Sequence, residues 1–222
     1  MNEKVIDNLA KIQLTEEQLD ILKEMGNIGS GHAITALSEL LNTNVEVSLT
    51  SVKIDTFWKV PEMFDNPNEE IVGIYSKIPI NSDLSIIQIF PKESIFNLIN
   101  FLNNSDEKSS LFLKNTSDLD DFSYSIIKEI GNILSGHYVS ALADLLSLKL
   151  IPSVPSVAID TLNVILNSII AKYSQIIDYI ILINTKMTVS DLNINGTICF
   201  IPNIKILRRL FEILNIKYDL SL

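Results

Sequence analysis

Apolar residues recur with the period of an α-helix in two long segments, at about residues 15–41 and 120–146. The first segment opens with a capping-box pattern, because Gln18 follows Thr15 by three residues. The polar run Asn42-Thr43-Asn44 then ends the period. This pattern predicts two long amphipathic helices, each with one apolar face.

Shorter runs in which apolar and polar residues alternate predict β-strands. The predicted strands span residues 45–54, with a bend, and residues 71–80, 84–90, 148–157, 176–189 and 192–201. Shorter helices are predicted over residues 5–12, 92–102 and 161–172, and a last helix from Pro202 onward. Pro91 suits the first turn of the helix that follows it. The polar stretch 103–110 is predicted to connect two halves of the chain.

One stretch of the first long helix is repeated in the second. Residues 23–32, KEMGNIGSGH, return at residues 128–137 as KEIGNILSGH, and residues 51–56 correspond to residues 156–161 at the same offset of 105. We therefore expect residues 1–222 to form a single domain of two internal repeats, at about 15–104 and 117–216. The predicted fold class is α+β, with two pseudo-symmetric α-β-β-β-α halves, antiparallel strands in the centre and the long helices outside.

Each long helix carries a polar stripe opposite its apolar face. In the first copy the stripe consists of Asp20, Glu24, Asn27 and Gly31. In the second copy it consists of Ser125, Glu129, Asn132 and Gly136. The Glu and Asn side chains are expected to face solvent. An ordinary solvated face would look the same in one copy, but its repetition in both copies favours a working surface.

The glycines of these helices need an explanation, since glycine in a helix costs about 0.8–1 kcal/mol relative to alanine. Close packing inside the protein can account for some of them. Gly31 and Gly136 instead lie one turn beyond the Asn on the polar stripe. A missing side chain there would let the backbone of another molecule approach the Asn and the Glu.

Composition and charge disfavour several classes of protein. With 222 residues and 47% hydrophobic content, the chain can bury a sizeable core. A net charge of −10 disfavours binding to nucleic acid or to an anionic membrane. The N-terminus lacks the layout of a signal peptide, so a cytoplasmic location is expected. Polar residues interrupt the most apolar region, 161–183, which argues against membrane insertion.

The sequence offers no nucleophile with an activating base. His32 and His137 are the only histidines, and neither has a Cys or a second His at ligand spacing, so a packing or surface role is favoured over metal binding. Cys199 lies in an apolar run and is predicted to be a buried strand residue. Residues 26–31, GNIGSG, look like a phosphate-binding loop but lie inside a helix. We therefore predict no metal and no cofactor of the protein's own.

The patterns Asp20-xxx-Glu24-xx-Asn27 and Ser125-xxx-Glu129-xx-Asn132 resemble the doubled signature of the CheC/CheX/FliY family of bacterial chemotaxis phosphatases. The resemblance covers nearly the whole chain and is strongest to the CheC-like members. The family signature also places a proline 23 positions after the Asn. Pro155 matches it in the second copy, whereas the first copy has Thr50 there. That proline is interpreted as structural rather than chemical.

The resemblance implies a phosphatase that hydrolyses the aspartyl-phosphate of a CheY-type response regulator. It assigns to Asn27 and Asn132 the positioning of the attacking water, and to Glu24 and Glu129 an ion pair with the regulator's active-site lysine. Asp20, Gly31, Ser125 and Gly136 would support these residues. The regulator itself would supply the Mg²⁺, and the deamidase CheD is implied as a second partner.

Two alternatives to this phosphatase remain. One is a non-catalytic flagellar-switch component of the FliM/FliY type. The two intact Glu-xx-Asn pairs argue against it, and so does the expectation that no rotor-binding domain follows Leu222. The other is a binding module that sequesters the phosphorylated regulator without hydrolysing it.

Overall fold

Two helices of 26 residues each organise the fold: α1 (Glu16–Leu41) and α3 (Asp121–Leu146). The computed structural model describes residues 14–56, 60–61, 64, 66–80, 82–105, 113–173 and 179–216. The predicted helix over residues 5–12 lies outside this described part.

Both long helices are capped, and the cap of the first was predicted from its sequence. Thr15 and Gln18 form the predicted capping box at the start of α1. At the start of α3, the carboxylate of Asp120 accepts a hydrogen bond of 2.8 Å from the backbone N–H of Ser123. Asn42 and Ser147 end the two helices in the left-handed conformation, with φ of 47° and 54°.

The other elements follow the predicted order. The strands are β1 (Val45–Thr56), β2 (Glu70–Ile80), β3 (Ser82–Pro91), β4 (Ser156–Thr161), β5 (Tyr179–Val189) and β6 (Leu192–Ile201). The remaining helices are α2 (Lys92–Ser105), α4 (Leu162–Tyr173) and α5 (Ile204–Ile213), and a 3₁₀ turn covers Thr116–Asp118.

The six strands form one sheet in the order β1-β5-β6-β3-β2-β4, and all neighbouring strands are antiparallel. The first strand of each half lies at an edge, beside the second strand of the other half. Exchanging equivalent strands of the two halves leaves this order unchanged. The predicted α+β class with two pseudo-symmetric halves is therefore confirmed, while the repeat boundaries at 15–104 and 117–216 stay a prediction.

Successive strand residues point to opposite sides of the sheet, and the inner strands β5 and β6 bury most of their residues on both sides. On one face, Ile74, Ile86 and Ile183 join the main core with the apolar sides of α1 and α3. On the other face, Ile87 and Leu182 pack with α4 in a second cluster. Within the described residues, no helix combines the length and apolar content that a membrane crossing would require.

The predicted strand over residues 148–157 is wrong in most of its length, because β4 begins only at Ser156. Pro152 and Pro155 have no N–H group to donate to a neighbouring strand, so the preceding segment cannot form a regular ladder. Ser153 keeps this segment beside β2, since its N–H donates to the carbonyl oxygen of Lys77 at 2.6 Å. Side-chain alternation alone did not reveal the break.

Other boundaries also differ from the prediction. Helix α5 begins at Ile204 rather than at Pro202, because the Asn203 side chain caps it by accepting from the N–H groups of Lys205 and Ile206 at 2.8 and 2.9 Å. Helix α2 continues to Ser105, so the first residues of the predicted connector 103–110 are helical. Residues 106–110 lie outside the described part of the chain.

Candidate functional site

The two polar stripes occupy the exposed sides of α1 and α3, as their periodicity predicts. Asp20, Glu24, Asn27 and Gly31 are exposed, and so are Ser125, Glu129 and Asn132, while Gly136 is partly exposed. Because these residues lie within regular helices, each Glu and its Asn are one turn apart, and both side chains point toward solvent.

The central side chains of the stripes have no partners within the described part of the chain. None of its three ion pairs involves Glu24 or Glu129. The side chains of Asn27 and Asn132 likewise make no hydrogen bond there. Four polar groups of this kind remain available to a second molecule.

The outer stripe residues do have local partners. The carboxylate of Asp20 pairs with Lys23 at 3.2 Å, and the Ser125 hydroxyl donates to the Asp121 carbonyl oxygen at 2.8 Å. Both contacts stay within one helix turn and are exposed, so they contribute little to stability. The structure thus places these two predicted supporting residues on the stripe but does not connect them to the Glu or the Asn.

The helix glycines fall into two groups with different surroundings. A methyl group added at Gly26 or Gly131 would collide with Leu49 or Ile74, respectively, and one at Gly29 would lie 3.1 Å from the Cα atom of Tyr138. These three glycines allow α1 and α3 to lie close to the sheet and to each other. Gly31 and Gly136 have no atom of the described residues within 4 Å of such a methyl group, so packing against that part of the chain does not account for them.

The motif proline and its replacement lie at comparable places in the two halves. Pro155 is buried directly before β4. Thr50 lies in β1 at a register shift between Leu49 and Ser51, and its hydroxyl donates to the carbonyl oxygen of Asn184 at 3.1 Å. Both positions therefore shape an edge strand, and neither belongs to the polar stripes.

The two long helices contact each other through residues that sequence reasoning did not select. The hydroxyl groups of Ser30 and Tyr138 lie 2.7 Å apart in a buried hydrogen bond between α1 and α3. Gln88 of β3 donates from Nε2 to the Gly131 carbonyl oxygen at 2.7 Å and to the Ser135 hydroxyl at 2.6 Å. The repeated serine at positions 30 and 135 was visible in the sequence, but nothing local marked Gln88.

The histidines also meet across the helix pair, with the ring centroids of His32 and His137 6.0 Å apart at an angle of 64°. The sequence suggested no second histidine near either one, because their proximity depends on the packing of the helices. Among the described residues, no group of three His, Cys, Asp or Glu side chains could hold a metal ion. The two rings make an edge-to-face contact between the helices.

Stability is expected to fall as the pH is lowered from about 7.5 to 5.5, because of His137. Burial, and to a lesser degree the neighbouring His32, lower the pKa of His137 from its ordinary value of 6.5. The unfolded chain therefore takes up this proton first, and the folded state loses stability below pH 6.5. We expect Tm to drop across this window, measured by thermal denaturation. His137→Gln should flatten the profile there, and an unchanged profile would contradict this assignment.

The polar stripes lie outside two surface grooves in the described part of the chain. Two surface grooves, of about 660 and 320 Å³, are lined by residues such as Lys92 and Phe96 in one case and Thr50 and Asn184 in the other. None of the stripe residues lines either groove.

Cys199 is buried in β6, where burial raises its thiol pKa to about 12, so it is no nucleophile. The described residues therefore offer exposed Glu-Asn pairs rather than an enclosed small-molecule site.

Comparison with known proteins points to one family. A family model described as the CheC-like family matches residues 17–48 and 122–159, which include most of α1 and α3. The chain is 30% identical over 174 residues to the CheY-P phosphatase CheC of Bacillus subtilis, covering 78% of this chain and 81% of that protein. It is 27% identical over 144 residues to the flagellar motor switch phosphatase FliY of the same organism, covering 65% of this chain and 36% of that protein.

Similarity also extends to solved structures. The crystal structure of FliY from Thermotoga maritima matches with a TM-score of 0.67 at 19% identity, covering 93% of this chain and 100% of that chain. At this level of identity, the likeness shows a common fold and not a common activity.

Proposed function

Since the chain belongs to the CheC-like family, we propose that it is a phosphatase of bacterial chemotaxis, acting on the aspartyl-phosphate of a CheY-type response regulator. Its relative from B. subtilis is named as a phosphatase of CheY-P, and the chain covers 81% of that relative's length. The resemblance seen in the doubled motif and the family membership therefore support the same role.

The observation that carries this proposal is the pair of exposed Glu-xx-Asn arrangements on two capped helices, which have no partners among the described residues. Glu24 and Asn27 lie one turn apart on α1, and Glu129 and Asn132 repeat the arrangement on α3. A carboxylate and an amide without a neighbouring nucleophile are poorly suited to covalent catalysis. They are well suited to completing an active site that another protein supplies.

In the proposed reaction, the regulator's aspartyl-phosphate is attacked by water in line with the bond that breaks. The amide of Asn27 or Asn132 can both donate and accept hydrogen bonds, so it can hold that water in the attacking direction. Each Glu would pair with the regulator's active-site lysine and keep the helix over the phosphoryl group. The Mg²⁺ that offsets the phosphoryl charge would belong to the regulator.

The exposed glycines fit this docking. Gly31 and Gly136 follow their Asn by four residues and leave open space at the helix surface. A partner's backbone could therefore approach the Asn without meeting a side chain. CheD is retained as a second proposed partner, with no surface of this chain assigned to it.

The rival functions make different predictions in one experiment. The acyl-phosphate of a Mg²⁺-bound CheY-type protein is allowed to decay with and without this protein, and phosphate release is followed over time. We expect catalytic amounts of this protein to accelerate the decay.

Two results would contradict the proposal. Slower or unchanged decay, with binding that is selective for the phosphorylated form, would identify a sequestering module. Absence of both binding and acceleration, with folded protein, would favour a switch component that shares the fold of FliY.

A further inference from the structure

Buried hydrogen bonds lie directly beneath both Glu-xx-Asn pairs. In each helix they end on the carbonyl oxygen of the glycine that precedes the Asn. These carbonyl groups belong to Gly26 and Gly131, where an added methyl group would meet the side chains of Leu49 and Ile74, respectively. The backbone next to each Asn is thus held by two kinds of contact.

In the first pair, the bonds form a chain from one long helix to the other. The Ser30 hydroxyl donates to the Gly26 carbonyl oxygen at 2.8 Å, and its oxygen lies 2.7 Å from the Tyr138 hydroxyl. A serine hydroxyl has only one hydrogen, so Tyr138 must be the donor to Ser30. Burial raises the pKa of Tyr138 to about 12, so this donor keeps its proton at neutral pH.

In the second pair, the donor comes from the central sheet instead. Gln88 of β3 is fully buried, and its Nε2 donates to both the Gly131 carbonyl oxygen and the Ser135 hydroxyl. Its Oε1 atom is buried without a hydrogen-bond partner in the described part of the chain. A buried unpaired acceptor lowers stability, so core stability alone does not explain a glutamine at this position.

Hydrogen bonds hold a helix differently from apolar packing. Apolar contacts are non-directional and tolerate small rotations and shifts of a helix. A hydrogen bond weakens steeply when its distance or angle changes. A bond to the carbonyl group beside an Asn therefore restrains the rotation of that helix turn, and with it the direction of the amide.

We propose that Gln88 and Tyr138 are positioning residues, Gln88 for Asn132 and Tyr138 for Asn27. This inference rests on the proposed function, since it concerns the geometry with which each Asn would meet the phosphoryl group. The two sites would then differ in the element that supports the Asn. The first site depends on the opposite long helix, and the second depends on the sheet.

The two sites allow a crossed experiment in which each serves as control for the other. Asn132→Ala leaves only the first site, and Asn27→Ala leaves only the second. Into each of these single-site proteins we introduce Gln88→Met, which keeps the side-chain length without a donor, or Tyr138→Phe, which removes only the hydroxyl. Phospho-regulator decay is then measured as kcat and KM, together with the Tm of every variant.

Gln88→Met is expected to lower kcat by about three- to tenfold in the protein with only the second site, at unchanged KM, because a misdirected amide holds the water poorly. It should leave the first site unchanged. Tyr138→Phe should show the reverse pattern. The Tm of Gln88→Met should stay close to that of its parent, since the substitution also removes an unpaired buried acceptor.

Several outcomes would overturn the inference. Equal losses in both single-site proteins would mean that the substitutions only reduce the amount of folded protein, and no loss in either would mean that the bonds do not direct the Asn. If only one of the single-site proteins is active, Gln88→Met and Tyr138→Phe are both tested in that protein. Only the substitution of the residue that is proposed to position its remaining Asn must then lower kcat. Inactivity of both single-site proteins and of the native chain would instead refute the proposed function itself.

Discussion

A protein that carries both Asn27→Ala and Asn132→Ala is expected to lose its acceleration of phospho-regulator decay, so that the regulator decays at its own rate. Loss of the group that orients the water should reduce the acceleration by about 10²-fold or more. Both side chains are exposed, and neither has a hydrogen-bond partner in the described structure. Alanine also has a higher helix propensity than asparagine, so the double variant should remain folded.

The measurement is phosphate release from the Mg²⁺-bound regulator, with binding of the phosphorylated regulator followed in parallel. Asn167→Ala serves as the matched control, because Asn167 is also an exposed asparagine within a helix but lies on α4, away from both stripes. Retained binding with lost turnover would support the assigned role of the two amides. Full activity of the double variant would exclude them as the groups that position water.

The single variants separate the contributions of the two sites. If each alone retains about half of the activity, both sites work independently. If Asn132→Ala alone abolishes activity, the first site is inactive despite its exposed Glu24 and Asn27. Thr50, which replaces the motif proline in that half, would then be the first residue to exchange.

Stability and activity are expected to move in opposite directions when Gly31 and Gly136 are both replaced by glutamine. Glutamine is a much better helix former than glycine, by roughly 0.6–0.8 kcal/mol per position. An added Cβ meets no atom within 4 Å at either glycine, so the protein should become more stable. The long side chains would, however, occupy the surface over which the regulator is proposed to approach each Asn.

We expect the double glutamine variant to raise KM at least about tenfold, because docking is blocked while the Glu and Asn remain in place. The matched control is the double alanine variant, which gains similar helix propensity but adds only a methyl group at each position. Decay kinetics and thermal denaturation are measured on both. Unchanged kinetics in the glutamine variant would show that the regulator does not approach over these glycines.

Much of the fold followed from local patterns in the sequence. The periodicity placed both long helices within one residue at each end, and the capping box of the first was predictable because it depends on side chains only three residues apart. The strand predicted over residues 148–157 was wrong although its cause was also local. Alternation predicted an extended segment, but ladder formation needs N–H groups that Pro152 and Pro155 lack.

The candidate site divides in the same way. The stripes with Glu24, Asn27, Glu129 and Asn132 were predictable because a helix places residues three and four apart on one side. The contacts beneath them were not, since Tyr138 is 108 residues from Ser30 and Gln88 is 43 residues from Gly131. Sequence spacing carries no information about contacts that only form when distant elements pack.

The sequence by itself determined which side chains this protein presents, because helix period and repetition are properties of neighbouring residues. It also determined the family, through two copies of one short motif. Only the tertiary structure decided that the two copies are supported by different buried hydrogen bonds and that His32 and His137 are in contact. It also decided that the space beside Gly31 and Gly136 is open among the described residues, while side chains fill the space beside Gly26 and Gly131. Those features depend on the distances between separate helices and strands, which the packing of the whole chain sets.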